Sequence, residues 1–249
     1  MAEEIQVETT LKKKYDHYYS DGIDLWRRIG AEQKASNIIR LCKEKKWNRI
    51  LEVGAGDGNV IQILSDNKFA NEYYAVDISE SGIQKLKSRN IDGLIEAKVY
   101  DGYHIPYEDK HFDLVILTHV LEHVEFPRSI LREIARVAEF QLIEVPRDYK
   151  TNVDQRIDKL LSYGHIMVYT PTLLRFLLKS EAFEILNHHM SFSSKEILAY
   201  PLKNAKKYGI IAQLKLNLFI FIRDMMYKMF PLSRKETMIN AYTVLTSHK

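Results

Sequence analysis

A single cysteine, Cys42, in 249 residues excludes an intramolecular disulfide framework and any centre built from several thiolates. Such usage suits a reducing cytoplasm, where a lone cysteine serves as a small buried hydrophobe. The opening MAEEIQVETT is acidic where a secretory signal carries basic residues, and no apolar stretch follows it. The longest apolar run of the tail, LFIFI at 218–222, is far below the roughly 18 residues that a spanning helix needs. No transmembrane segment is therefore expected, and the expected location is cytoplasmic. A basic stripe is also lacking. Residues 195–249 hold ten Lys/Arg and three Asp/Glu, which leaves the remainder at −4 of the net +3, but the lysines are scattered. That is the pattern of a solvated face, so no nucleic-acid partner is expected. Repeats and low-complexity segments are absent.

What is present is alternation. Between residues 48 and 146, short apolar runs alternate with helix-period segments, as in βαβ units around a parallel sheet. Strands are expected at 48–54, 72–78, 96–101, 112–120 and 140–146. Helices are expected at 31–45, 59–67, 79–89, 127–138 and from Thr170 through LLRFLLKS. Beyond residue 183, EILNHHMSF and NAYTVLTS read as two more strands, a hairpin at the sheet edge interrupted by an insertion at about 193–238. Within it QLKLN alternates like a strand, yet Gln213, Asn217, Asp224 and Lys228 share a helical face, and length favours helices.

The run ILEVGAGDGNV at 50–60 places three glycines behind an apolar strand. A strand turning sharply into a helix leaves free N–H groups at the helix start, and glycine permits positive φ and close ligand approach. Its spacing excludes two ligand classes. The third glycine of a dinucleotide fingerprint falls at Asn59, and no lysine follows the glycines until Lys68, so neither a dinucleotide site nor a phosphate loop fits. Asp77 lies 21 residues beyond Gly56 at the end of the second strand, where a carboxylate can accept from both hydroxyls of a ribose. Asp101, followed by Gly102, brings another acidic group to the same crevice.

Taken in order, ILEVGAGDGNV, YYAVDIS, YDGYHIPYEDKHFDLVILTHVLEHV and QLIEVP resemble the motifs of class I S-adenosylmethionine-dependent methyltransferases, in the type 11 branch similar to ubiquinone-biosynthesis enzymes. The resemblance spans about residues 45–192. It implies an α/β, Rossmann-like, seven-stranded and mostly parallel sheet with helices on both faces and an antiparallel last strand, before which the helical insertion falls. The N-terminal segment and the insertion lie outside the resemblance, and the chain reads as an N-terminal helical lid segment at 1–45 followed by a methyltransferase domain at 46–249. The resemblance also implies S-adenosyl-L-methionine as donor and S-adenosyl-L-homocysteine as product. Glu52, Gly54, Ala55, Gly56 and Gly58 would neighbour the methionine portion and Asp77 the ribose. Ile78 would lie against adenine, Asp101 and Gly102 at the adenine amino group, and Thr118 and His119 at the transferred methyl.

Methyl transfer to oxygen needs a base, and histidine is the usual one near neutrality. His119, His123 and His165 are the candidates, with His123 favoured by resemblance. Adjacent His188 and His189, even with Glu144 or Asp148, point to opposite faces of a strand, so no metal is expected. Tyr15, Tyr18, Tyr19 and Trp26 suit a lid over the donor. The run Thr118, His119, Val120, Leu121 is unlike the motif of DNA amino-methyltransferases, and Cys42 is misplaced for cytosine C5 chemistry. A small-molecule acceptor is left. Arg147, Lys150 and Arg156 favour an anionic one, such as a sugar nucleotide or surface-glycan precursor. N-methylation of a small molecule and a non-catalytic S-adenosylmethionine-binding protein are the alternatives. Residues 216–230 read as a core or dimer-interface helix, which leaves room for a homodimer.

Overall fold

The computed structural model describes residues 24–149, 153–205, 207, 209–229 and 239–248. Its elements run in the order α1 (Asp24–Cys42), β1 (Trp47–Val53), α2 (Asn59–Asp66), β2 (Ala70–Asp77), α3 (Glu80–Ser88), β3 (Leu94–Val99) and β4 (Phe112–Thr118). After these come α4 (Pro127–Val137), β5 (Ala138–Pro146), α5 (Ile157–Ser162), α6 (Pro171–Ser180), β6 (Glu184–Ser191), α7 (Lys195–Asn204), α8 (Ile210–Met229) and β7 (Ala241–Ser247).

The seven strands form one sheet of order β3-β2-β1-β4-β5-β7-β6. The first five are parallel and β7 is antiparallel to both of its neighbours. The expected fold class is thus present. The two-residue period of the strands explains how one sheet serves two cores. Leu51, Val76, Val115, Leu117 and Ile143 face one helical layer with α4 and α6, while Ile50, Ala75, Leu114, Ile116 and Leu142 face the other with α1, α2 and α3. Since both faces are covered, β1, β4 and β5 read as near-continuous apolar runs.

Helix α3 is capped by Ser79, whose hydroxyl accepts from the Gly82 N–H at 3.1 Å, and α6 by Thr170, which accepts from Leu173 N at 3.1 Å. The expected helix at 31–45 begins earlier, at Asp24. Ala31, Ala35, Ile38 and Leu41 of α1 are buried in the sheet's covering layer. The lid residues Tyr15, Tyr18 and Tyr19 lie outside the described residues, whereas the Trp26 ring packs 5.0 Å from that of Tyr200 in α7.

The insertion is helical, and QLKLN belongs to α8. Of the two expected roles, core or dimer-interface helix, the core is not the one seen in the single chain, because Leu216 is the residue of α8 that is buried while Ile210, Leu214, Leu218 and Phe221 are exposed. Arg223 anchors it, donating to the Ser193 carbonyl at 3.1 Å. No described helix is long and apolar enough to cross a membrane.

Strand β4 stops at Thr118 rather than at residue 120. His119 adopts φ 56, a left-handed conformation that ends the strand and turns the next residues over the sheet's carboxyl edge.

Candidate active site at the carboxyl edge of the sheet

The glycine turn follows β1. Gly54, Gly56 and Gly58 have φ of 73, 54 and 77°, which side chains rarely tolerate. Space imposes the same requirement. A Cβ on Gly54 would collide with Val120 Cγ2, and one on Gly58 would lie 2.6 Å from Leu86 Cγ. The turn is pinned to β2, since Gly54 N and Ala55 N donate to the Val76 carbonyl at 2.8 and 3.2 Å and Gly56 N donates to Asp77 Oδ2 at 2.7 Å. Gly58 precedes helix α2 and offers no side-chain cap, and of the helix's first N–H groups that of Ile61 bonds to the Glu52 carboxylate.

Asn59, which breaks the dinucleotide fingerprint, has a structural part. Its side-chain amide donates to Asp57 Oδ1 at 2.7 Å, and Asp57 also pairs with Arg27 at 3.1 Å and Arg89 at 3.3 Å. Beneath the turn, Glu52 is 2% exposed and its Oε2 has no partner among the described residues. Burial pushes its carboxyl up to about 8, against the opposing pull of Lys34.

Asp77 is buried at the tip of β2, its second oxygen accepting from Ser79 N at 2.8 Å, with Ile78 half-buried beside it. Asp101 stands half-buried after β3, where Oδ1 accepts from Tyr103 N and His104 N at 2.8 and 2.7 Å, and Gly102 turns there with φ 98°. The residues expected at a donor therefore lie at the strand ends of one crevice. An orphaned buried carboxylate oxygen, an uncapped helix start and a glycine cradle fit a nucleoside that carries a zwitterionic amino-acid end, such as the sulfonium S-adenosylmethionine.

The opposite rim is built from the turn after β4. Gly54 and Val120 touch, so this turn lies directly over the glycines. His119 Nε2 lies 3.1 Å from Glu144 Oε1, and Glu144 also accepts from Asn37 at 2.7 Å and Thr243 at 2.6 Å. Burial works to raise the Glu144 pKa, but the bonds from His119, Thr243 and Asn37 outweigh it and hold the carboxyl below the ordinary range. Glu122, 1% exposed, has neither carboxylate oxygen hydrogen-bonded among the described residues. Its Oε1 lies 3.7 Å from His119 Nδ1 and 3.8 Å from His123 Nε2.

His123 Nδ1 lies 2.9 Å from the Gly164 carbonyl, so it donates there, and burial lowers the ring's pKa. His165 Nδ1 meets Asp148 Oδ2 at 2.7 Å. Burial acts to lower the His165 pKa, yet the Asp148 bond outweighs it and the ring titrates high. The His123 and His165 rings stand 4.7 Å apart, nearly perpendicular. The segment carrying His165 is tied to the turn, because Ile166 N and Met167 N both donate to the Glu122 carbonyl.

All three candidate histidines thus converge, and they converge on a residue that sequence reasoning missed. Glu122 stands at i+3 from His119 and next to His123, a spacing that offered the only signal. Glu144 and Asp148 have partners other than the His188–His189 pair, in keeping with the argument against a metal there. They serve His119 and His165, while His188 lies exposed on edge strand β6 beside Tyr242. Arg147 is buried and Arg156 half-buried beyond β5, and Lys150 falls outside the described residues.

A family model for the type 11 methyltransferase domain matches residues 51–139, the stretch holding the glycine turn, Asp77, Asp101 and the turn after β4. That domain match supports the reading of this chain as a class I S-adenosylmethionine-dependent methyltransferase of the type 11 branch. The methyltransferase is 29% identical over 121 residues to the YrhH protein of Bacillus subtilis, an alignment covering 46% of this chain and 67% of that one. It is 26% identical over 118 residues to the ubiquinone/menaquinone biosynthesis C-methyltransferase UbiE of Azotobacter vinelandii, covering 45% and 44%. The chain therefore spans two thirds of the first relative and under half of the second. In fold it resembles a chain of the complex between the Trm112 methyltransferase activator and a methyltransferase of Haloferax volcanii, at a TM-score of 0.64 and 14% identity over 94% of this chain and 97% of that chain. The donor of this family is S-adenosylmethionine.

Proposed function

We propose that the protein methylates a hydroxyl oxygen of a small anionic metabolite, such as a sugar nucleotide or surface-glycan precursor, in the cytoplasm. The observation that carries this reading is the His119–Glu144 pair at the end of β4. With Nε2 donating to a buried carboxylate, the neutral His119 ring keeps Nδ1 as its proton-accepting nitrogen. The three-way clamp on Glu144 by Asn37, Thr243 and His119 fixes the ring's tautomer and orientation.

Bound S-adenosylmethionine supplies an electrophilic methyl carbon on its sulfonium. The protein's share is positioning, which contributes roughly 7 to 11 kcal/mol in well-aligned reactions. Glu52 and the glycine turn would hold the methionine portion, Asp77 the ribose, Asp101 and Gly102 the adenine edge, with Thr118 bordering the methyl. The proton of the acceptor hydroxyl passes to His119 Nδ1. Arg147 and Arg156, near the mouth of the same edge, support an anionic acceptor.

The test is methyl transfer from radiolabelled S-adenosylmethionine to a panel of sugar nucleotides, phenols and primary amines. Label on hydroxyl-bearing anions is expected. Label captured only by amines would overturn the assignment to oxygen, and no transfer despite S-adenosylhomocysteine binding would point to a non-catalytic binding protein.

A further inference from the structure

The buried carboxylate of Glu122 is the least explained group in the molecule. An ionised carboxylate held away from water without hydrogen bonds is costly unless a cation compensates it. Two of the three rings around it are oriented as if for that purpose. His123 and His165 both commit Nδ1 to an oxygen acceptor, the Gly164 carbonyl at 2.9 Å and the Asp148 carboxylate at 2.7 Å. In the neutral rings Nε2 then carries the lone pair. A ring whose far nitrogen is fixed by a carbonyl or carboxylate is the usual outer shell of a metal-bound histidine.

We propose that Glu122, His123 and His165 form a binding site for a divalent transition-metal ion. One ligand atom from each of the three lies within 4.8 Å of the others, and Glu122 Oε1 is 3.8 Å from His123 Nε2. Ligands sharing one ion at about 2.0–2.1 Å stand roughly 3 to 3.5 Å apart, so a small rotation of the side chains closes the set. Two imidazoles and one carboxylate suit zinc, iron, cobalt or manganese better than magnesium or calcium, which prefer oxygen alone. Three protein ligands leave a coordination position open, the arrangement of a metal that handles substrate rather than one that only braces a fold. If the methyl-transfer reading holds, that position lies beside His119, whose Nδ1 is 3.7 Å from the same Glu122 oxygen. An acceptor hydroxyl bound there would lose its proton more readily. A proton on one of the rings is the rival cation.

Calorimetric titration of the chelator-treated full chain with Zn(II), and the visible spectrum of its Co(II) form, decide between these. One equivalent is expected, with Co(II) bands typical of four or five ligands. Glu122→Gln and His165→Gln should each weaken zinc binding by about 100-fold or more, and Asp148→Asn by about tenfold through the loss of its hold on His165. His188→Asn is expected to leave zinc affinity unchanged. S-adenosylhomocysteine affinity, measured on each variant, reports folding and the donor site separately. If Glu122→Gln fails to fold, His165→Gln and Asp148→Asn carry the test. Absence of saturable zinc binding, or binding indifferent to the Glu122 and His165 substitutions, overturns the site. Zinc binding without S-adenosylhomocysteine binding would instead upset the donor assignment and leave the metal site standing.

Discussion

The rim proposed for the donor and the rim proposed for the acceptor meet where Gly54 touches Val120, yet they treat buried polarity in opposite ways. On the donor rim, both Asp77 oxygens accept backbone N–H groups, and Asp57 is held by two arginines and Asn59. The backbone strain there is placed on glycine, where it costs little. On the acceptor rim, Glu122 is buried without a hydrogen bond among the described residues, and left-handed strain falls on His119, which has a Cβ. Residues held in sparsely populated regions cost of order 1–3 kcal/mol and persist where the surroundings over-determine them, often at reactive sites. Apart from Glu52, whose buried Oε2 has no partner among the described residues, the first rim is finished before any ligand arrives, and the other leaves charge and geometry to be completed.

The largest expected effect breaks the rims apart. His119→Asn should reduce labelled-methyl transfer by about 10²- to 10⁴-fold, the range for a lost proton acceptor. S-adenosylhomocysteine affinity by calorimetry should stay within about threefold, because binding rests on the other rim. Equal losses in both measurements would mean that His119 acts mainly on the donor, and the division of labour would fail.

Next comes the converse. In Gly54→Ala the new Cβ meets Val120 while φ stays at 73°, so the turn must shift. A penalty of about 1–3 kcal/mol corresponds to roughly 5- to 150-fold in S-adenosylhomocysteine affinity. Val120→Ala in the same chain should recover part of that loss, by relieving the collision but not the strained φ. No recovery would show that the contact between rims is incidental.

The unequal legibility of the rims follows from the same contrast. The donor rim is local: Gly54, Gly56, Gly58 and Asn59 lie within six residues, and Asp77 and Asp101 each end a strand whose apolar run marks it. Strand ends in a parallel sheet share an edge, so reading the strands places the acids. The acceptor rim is assembled from five places in the chain. Glu122 acquires meaning only when the segment at 164–167 folds over it, and Glu144 only when Asn37 and Thr243 arrive from α1 and β7. Histidine spacing revealed the candidates but not which carboxylate orients each one. Helix α1 was misjudged at its start for a similar reason. Its first turns, DLWRRIG, show little helical periodicity and are held by distant partners, Arg27 by Asp57 and Trp26 by Tyr200.

Asp77→Asn should weaken S-adenosylhomocysteine binding by about tenfold, since the turn keeps an oxygen acceptor but loses the charge that strengthens each bond by a kcal/mol or so. A loss as large as that of Gly54→Ala would mean that Asp77 organises the turn as much as it binds ligand.

The smallest effect is a slope, and it concerns the donor rim's one unfinished group. Glu52 titrates at about 8 in the folded chain, because burial disfavours its charged form. A folded pKa raised above the unfolded value stabilises the fold most below the unfolded pKa of about 4.3 and loses that contribution as pH rises through about 8. Denaturant unfolding of the wild type should therefore show stability falling over that window. Glu52→Gln, which cannot ionise, should flatten this part of the profile and be the more stable form at pH 9. The ligand reverses the sense. An α-ammonium placed against Glu52 favours the carboxylate, so S-adenosylhomocysteine binding near pH 7 should release a proton, seen as a dependence of binding enthalpy on the buffer's ionisation enthalpy. In Glu52→Gln that dependence should vanish. If it persists, the proton comes from another group, and Glu52 belongs to the scaffold beneath the turn rather than to the donor site.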